Sequence, residues 1–402
     1  MPTLLGQEAA ELLGVAVTSA GGRLITARPQ QIHWRPGRAL TVVYHARVAW
    51  ADRRATQERL VASTGARIPR GALVLERGAD RVGIWTLTTD PLLPGLGVAL
   101  NAKRARGLLD VLGVPPGAVQ ARLRAYRPGR RGVVEVVGGR SPLFIKVVPP
   151  AEVAPLQARH ALLSAHLPVP RSHGWSEEHG LVVLEAMPGR TLREVLSLKG
   201  QRLPDPALIA GMLDRIPTPG DGRRSPNTLS SAAGYAGLVG RLLPDLKTRL
   251  TELVAGLGDG ADAGPLVPVH GDLHDAQLMV RNGAITGLLD VDTAGLGHRV
   301  DDWAQVLGHL ATRMDAATGS TRTRIQEYGK QVLATAEAQV DRADLRRRVA
   351  AVVLGLATGP FRVQTPSWPR DTELRVALAE RWWQSAESTR SDGAMRMLSP
   401  DS

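Results

Sequence analysis

Cysteine is absent from the 402-residue chain, which excludes structural disulfides and thiolate metal sites. Aromatic residues make up only 3%, leaving few platforms on which nucleic-acid bases could stack. No uninterrupted apolar run reaches the length of about 18 residues that a membrane-spanning helix requires, so no membrane partner is expected. The opening stretch, MPTLLGQEAAELLG, is acidic where a secretory leader would be basic, and no apolar segment follows it. A cytoplasmic protein is expected. Lysine is scarce and confined to Lys103, Lys146, Lys199, Lys247 and Lys330.

Hydrophobic residues amount to 43% and charged residues to 22%, enough for a buried core and too balanced for wholesale disorder. The net charge of +12 is almost entirely arginine. The arginines are scattered through helical stretches and do not form one block, which reads as a solvated surface and not as a nucleic-acid interface.

Along the chain, ALTVVYHARVAW (39–50) carries a strand signal. Residues 90–114 begin in a Pro/Gly turn and become an amphipathic helix that stops before Pro115-Pro116, a candidate boundary. Short apolar runs at 121–127, 132–138 and 142–148 follow, the last two joined by a hairpin turn. A helix is expected over about 151–166 and a buried strand over 181–187. From there helices are expected at 191–198, 229–256, 301–314, 320–340, 342–357 and 371–387, with a Pro/Gly-rich loop over 199–228 and a frayed end from 391. One echo stands out. Trp34-Arg35-Pro36-Gly37-Arg38 and Tyr126-Arg127-Pro128-Gly129-Arg130 each precede a β-rich run, but only the second leads to a lysine.

The chemistry concentrates in Val269-His270-Gly271-Asp272-Leu273-His274-Asp275-Ala276-Gln277, followed by Leu288-Leu289-Asp290-Val291-Asp292. Two carboxylates on loops beside apolar strands, with an amide between them, suit phosphoryl transfer. One carboxylate orients and deprotonates a hydroxyl, and oxygen donors hold Mg²⁺ against a triphosphate. His270 and His274 among these acids could also be read as a zinc cluster, but their spacing lies in a loop and not on one helix face. Lys146 sits in Phe144-Ile145-Lys146-Val147-Val148, a run otherwise fit for burial, and a buried ammonium requires a partner such as nucleotide phosphate. Trp382-Trp383 reads as helix packing.

His-Gly-Asp-Leu-His, an amide five residues after the aspartate, and then Leu-Leu-Asp resemble the aminoglycoside phosphotransferase and choline kinase superfamily, over about residues 120–385. The resemblance implies an α+β, bilobal, protein-kinase-like fold: a small antiparallel N-lobe (117–187) and a mainly helical C-lobe (188–390). An extra N-terminal α+β cap (1–116), read as a degenerate N-lobe repeat, precedes it, and a flexible tail (391–402) follows. It makes Asp272 the catalytic base, with His270 pinning the loop. Asp290 becomes the principal magnesium ligand, and Asp302 the brace of the catalytic loop. Gln277 stands where relatives usually have asparagine; maltokinases are similar in using glutamine there and in carrying a cap. Asp292, where many relatives have glycine, is assigned beside the metal.

In the same terms Lys146 is the nucleotide-binding lysine of the third strand, with Glu152 as its partner. The backbone of Glu185 and Met187 is the adenine-binding hinge, and the turn containing Arg130 covers the phosphates. The implied cofactors are ATP or GTP with Mg²⁺, and the implied partners a nucleotide and a small hydroxyl acceptor, in a monomer or homodimer. The acceptor is expected to be a sugar or another neutral or anionic natural product more than a polycationic aminoglycoside, since arginines outnumber acids after the motif. A non-catalytic nucleotide-binding protein of the same fold is the alternative.

Overall fold

A computed structural model describes residues 3–398 apart from 53, 78–79, 115–118, 140 and 259–263, so the proline pair proposed as a boundary lies outside the described residues. The chain divides into two compact units. One comprises Met1–Ala158, Arg171–Ala186 and Phe361–Pro366, and the other Arg159–Pro170, Met187–Pro360 and Ser367–Ser402.

The first unit opens with α1 (Glu8–Ser19), which packs on β1 (Gly22–Arg35). With β2 (Ala39–Trp50), β3 (Ala55–Thr64), β4 (Leu73–Arg77) and β5 (Asp80–Thr86), β1 forms an antiparallel sheet of order β1-β2-β3-β5-β4. After α2 (Gly95–Ala99) and α3 (Ala102–Val111), a second antiparallel sheet is built from β6 (Gln120–Arg127), β7 (Arg131–Val137), β8 (Leu143–Val147), β9 (Ser172–Ser176) and β10 (Leu181–Glu185). Its order, β6-β7-β8-β10-β9, repeats that of the first sheet strand for strand. The strand β9 was not anticipated, since Ser-His-Gly-Trp-Ser carries no apolar alternation.

In each sheet the first two strands are joined by one of the paired Arg-Pro-Gly-Arg turns. The N–H of Arg38 bonds the carbonyl of Arg35, and that of Arg130 the carbonyl of Arg127, both at 3.0 Å. Proline sets the second position of each turn, and Gly37 and Gly129 take the left-handed third position at φ 73° and 61°. Counted from these turns, Thr41 pairs with Ser63 as Val133 pairs with Lys146. Ser63 therefore stands in the first sheet where Lys146 stands in the second. The helix α4 (Val153–Ser164) follows β8, whereas only a 3-10 turn, Gly65–Arg67, follows β3. One apolar core joins both sheets: Val43, Val61 and Trp85 are buried with Leu93 and Leu96, and with Val134, Ile145 and Val183. Residues before 117 thus share their core with the second sheet.

The second unit is mainly helical. It contains β11 (Arg190–Thr191), α5 (Leu192–Ser197), α6 (Pro206–Leu213), α7 (Ala232–Leu242) and α8 (Lys247–Leu257). Next come β12 (Leu266–Val269), β13 (Leu278–Arg281), β14 (Ala284–Leu288) and β15 (Gly295–His298). The chain then continues through α9 (Arg299–Ala316), α10 (Gly319–Glu337), α11 (Arg342–Ala357), α12 (Gly359–Arg362) and α13 (Trp368–Leu398). The single helix expected over 229–256 is two, because Pro244 has no N–H to continue the first and opens a 3-10 turn before the second. α13 runs on through Leu398, past the expected start of a tail at 391. The α+β class expected from the sequence is the class observed.

Candidate active site

The His270–Gln277 segment connects β12, paired with β15, to β13, paired with β14, so two small antiparallel sheets hold its ends. Its middle is held from α9. The fully buried carboxylate of Asp302 accepts the backbone N–H of His270 on one oxygen and that of Gly271 on the other, each at 2.8 Å. Burial pushes the Asp302 carboxyl up from its ordinary range, opposed by the neighbouring His270 and by these two N–H groups. Gly271 has φ +81°, and a Cβ there would stand 1.9 Å from Ser225 Oγ and 2.8 Å from the carbonyl of Thr293, so only glycine fits.

His270 links this loop to the next. Its Nε2–H donates to the carbonyl of Leu289 at 2.9 Å, which leaves Nδ1 as the acceptor for the N–H of Asp272 at 3.3 Å. The N–H of Leu289 in turn donates to the carbonyl of Gln277 at 2.8 Å. Leu289 is thereby tied on both sides to the His270–Gln277 loop, immediately before Asp290. Asp290 takes the left-handed conformation, φ 56° and ψ 53°, which costs most non-glycine residues about 1–2 kcal/mol and aspartate less. Such strain collects at sites where a side chain must be aimed. Asp272, Asp290 and Asp292 are all half-buried, and Asp292 lies in the 3-10 turn Val291–Thr293.

Four residues that sequence reasoning left without a role, Asp275, Arg193, Arg313 and His309, complete this part of the site. Asp275 is wholly buried and receives Arg193 through Nε and a terminal nitrogen and Arg313 at 3.0 Å. Burial pushes its carboxyl up, but the neighbouring His274, the hydrogen bonds from Arg193 and the charge of Arg193 outweigh this and hold it below the usual carboxylate range. His309 stacks on His274 with ring centres 4.2 Å apart. Burial lowers the His309 pKa to about 3, with the neighbouring His274 adding to the effect. Neither arginine carries a local sequence signal, because its partner lies far along the chain. His274, Asp275 and His309 are close enough together to hold a metal ion. Two guanidinium groups already occupy the Asp275 oxygens, which argues against the zinc reading.

Gln277 Nε2 lies 3.2 Å from His274 Nε2, and the amide side chain of Gln277 is thereby oriented. Asp301, beside Asp302, is also buried and pairs with Arg348 at 2.7 Å, which pairs with Asp344 of α11 at 2.8 Å. These bonds fix the first turn of α9 that carries Asp302.

In the first unit Lys146 lies on β8, 5% exposed, paired in register with Val133 and Val182. Glu152 is exposed on the 3-10 turn that precedes α4 and forms no ion pair among the described residues. The proline pair 149–150 starts that turn before the helix proper, which places the glutamate too early to face inward. Glu185 ends β10; its N–H bonds the carbonyl of Arg171 and its carboxylate accepts the N–H of Arg171 at 3.2 Å. In the second unit Met187 packs on Gly287 of β14. Arg130 is exposed on its turn and lines a cavity with Arg67.

The phosphotransferase enzyme family matches the chain over residues 122–340. No curated protein matches it. Among solved structures, it is similar to the choline kinase of Streptococcus pneumoniae at 11% identity, covering 70% of this chain and 98% of that one, with a TM-score of 0.49. A choline/ethanolamine kinase family protein of Mesorhizobium loti aligns at 12% identity over 69% and 92%, TM-score 0.45. The ethanolamine kinase of Plasmodium vivax aligns at 11% identity over 67% and 84%, TM-score 0.42.

Proposed function

We propose, because the chain belongs to the phosphotransferase enzyme family, that it moves the γ-phosphate of ATP or GTP, bound with Mg²⁺, to a hydroxyl of a small molecule. The observation that supports this most is the double tether of Leu289, which binds the segment presenting Asp290 to the loop presenting Asp272. Asp272 is the base that orients and deprotonates the acceptor hydroxyl. His270 holds that loop in place, and Asp302 fixes both through the backbone.

The donor set fits magnesium: Asp290, Asp292 and the Gln277 carbonyl are hard oxygen ligands. A neutral His274 carries one ring proton. Nδ1 accepts the Ala276 N–H at 3.2 Å, which puts that proton on Nε2, facing the Gln277 side-chain amide 3.2 Å away. When bound, the ion neutralises charge on the transferring phosphate. Lys146 takes nucleotide phosphates, and the backbone of Glu185 and Met187 the adenine edge. The assignment of Glu152 as the partner of Lys146 loses support from its exposure.

The acceptor is read as neutral or anionic. Of the acids available for a polycation after the motif, Glu337 pairs with Arg346 and Arg342, Asp344 with Arg347 and Arg348, and Glu373 and Glu380 with Arg249. Asp341 caps α11. Charges consumed internally are not left for ammonium groups. Residues 22–86 are read as a degenerate copy of the second sheet, supported by the shared strand order and turns, with Ser63 in place of Lys146 and hence no nucleotide site of the same kind.

The test is nucleotide-dependent turnover, followed as ADP or GDP release, over a panel of sugars, aminoglycosides and other hydroxyl compounds. Release stimulated by a hydroxyl compound, with matching phosphorylated product, supports the reading. Nucleotide binding without turnover on any panel member supports the non-catalytic alternative.

A further inference from the structure

The first unit contains a cavity of about 260 Å³ that meets the nucleotide assignment above only at the Arg130 turn. It is lined by Thr41, Ala66, Arg67, Ile68, Pro69 and Trp85 from the first sheet and its 3-10 turn, and by Leu92, Pro128, Gly129 and Arg130. The lining therefore combines an apolar body with two guanidinium groups. Pro128, Gly129 and Arg130 of the second Arg-Pro-Gly-Arg turn form one wall, and Ala66, beside the first turn, lines another. The Arg38 carbonyl lies against Ala66 N–H at 3.4 Å, and the Gly129 N–H is held by the buried carboxylate of Asp90 at 2.8 Å. The other donors to Asp90 are the Tyr126 hydroxyl at 2.8 Å and the Leu92 N–H at 3.0 Å, so this carboxylate is spent on holding the turn.

The positive charge here is not balanced locally. Arg35, Arg67 and Arg130 form no ion pair among the described residues. Burial, and then the charges of Arg35 and Arg130, lower the Arg67 pKa below its ordinary value. His33 stands opposite Thr41 in the β1–β2 ladder, and its buried Nε2 has no hydrogen-bond partner. Burial and the fields of Arg127, Arg362, Arg67 and Arg130 lower its pKa to about 4. Crowding like charges around an apolar hollow costs free energy that a bound anion would return. The position in the fold agrees. Thr41 and Ser63 correspond to Val133 and Lys146, so the cavity opens over the first-sheet counterpart of the lysine position, with Arg67, four residues after Ser63, supplying the cation.

We propose that this cavity binds a small organic phosphomonoester, its phosphate gripped by Arg67 and Arg130 and its body seated on Ile68, Pro69, Leu92 and Pro128. Guanidinium groups match phosphate oxygens in paired geometry. The apolar lining selects an ester over the inorganic ion, and the small volume of the hollow selects a small molecule over a polymer. Because the Arg130 turn forms one wall, occupancy would stiffen that turn.

The experiment is calorimetric titration of the full chain with phenyl phosphate, inorganic phosphate and phenol, in the absence and presence of saturating ATP and Mg²⁺. Phenyl phosphate is expected to bind at one site, at least tenfold tighter than either fragment, with ATP present. The Arg67→Ala substitution is expected to weaken it tenfold or more, and Arg67→Lys to weaken it less, since charge without the planar fork is retained. Arg54→Ala, removing an exposed arginine paired with Asp52, and Asp272→Asn should leave it unchanged. Absence of binding, binding lost when ATP is added, or affinity indifferent to both Arg67 substitutions in variants that melt like the parent would overturn the proposal. A chain inactive as a kinase would still give these binding results, so the two readings fail separately.

Discussion

The carboxylate of Asp302, in the first turn of α9, accepts the backbone N–H of His270 at 2.8 Å across 32 residues of sequence. Its other oxygen takes the N–H of Gly271, so one side chain satisfies two consecutive buried donors. Neither donor has a helix or sheet partner, and the loop conformation depends on this acid. Asp302→Ala leaves both N–H groups unpaired, each costing about 1–3 kcal/mol. The variant should be roughly 2–6 kcal/mol less stable by urea unfolding, with turnover falling alongside. Asp302→Asn retains one acceptor oxygen and should lose about half as much. Equal stability of Asp302→Ala and parent would remove Asp302 as the brace.

Asp272→Asn should fold and bind nucleotide almost as the parent does. Its neighbours hold it through the backbone, His270 Nδ1 accepting its N–H, and that contact survives the change. Turnover should fall roughly 10²–10⁴-fold, the usual worth of a general base. A loss of less than about tenfold would mean that another group accepts the proton.

Asp290 allows ligand role and backbone strain to be separated. Asparagine tolerates the left-handed region and alanine does not, so Asp290→Asn should be about 1 kcal/mol more stable than Asp290→Ala. Both variants lose the carboxylate, and both should lose magnesium-dependent nucleotide affinity in calorimetry with ATP and Mg²⁺. Unchanged affinity in either would reject Asp290 as the principal ligand.

The sequence exposed those parts of the site in which chemistry is written locally. His270, Asp272, Gln277 and Asp290 fall within two short segments whose polar residues interrupt apolar runs. Strands β2, β7, β8 and β10 were legible for the same reason, being short apolar stretches bounded by turns. The Asp275–Arg193 pair was not legible, because 82 residues separate its members and an arginine in Thr-Leu-Arg-Glu looks like any solvated helix residue. Glu152 illustrates the opposite failure. Spacing made it the nearest acid after Lys146, but the proline pair between them spends those residues on a turn and leaves the side chain outside. The common strand order of the two sheets was only hinted at by the repeated turn, since pairing between strands is set by contacts that composition does not record.

His274 is a positioning residue for the metal if its ring holds the Gln277 amide. His274→Phe keeps a ring against His309 but removes the polar contact with the Gln277 amide at 3.2 Å. The expected result is a higher Mg²⁺ concentration for half-maximal turnover, about tenfold, with the nucleotide requirement little changed at saturating metal. Gln277→Asn, which preserves the amide, should keep part of the activity. If His274→Phe lowers turnover equally at every Mg²⁺ concentration, the ring is not acting through the metal ligand.

The acid side of the stability profile should be set by two histidines. His309, lowered to about 3 by burial and then by His274, and His33, lowered to about 4 by burial and then by the surrounding arginines, are both neutral in the fold. In the unfolded chain each takes up a proton near pH 6.5. Between that pH and the folded values the unfolded state binds more protons, so stability falls as the pH is lowered. Each histidine contributes a slope of up to about 1.4 kcal/mol per pH unit. Asp275 acts elsewhere. Its folded pKa is depressed, so its contribution is fully present above its ordinary carboxylate range and is lost only on acidification below that range. Urea unfolding at several pH values from 7 to 4.5 should therefore show a steady loss of stability in the parent, and His309→Gln should flatten it by close to one proton. A variant with the parent's slope would show that His309 is protonated equally in both states.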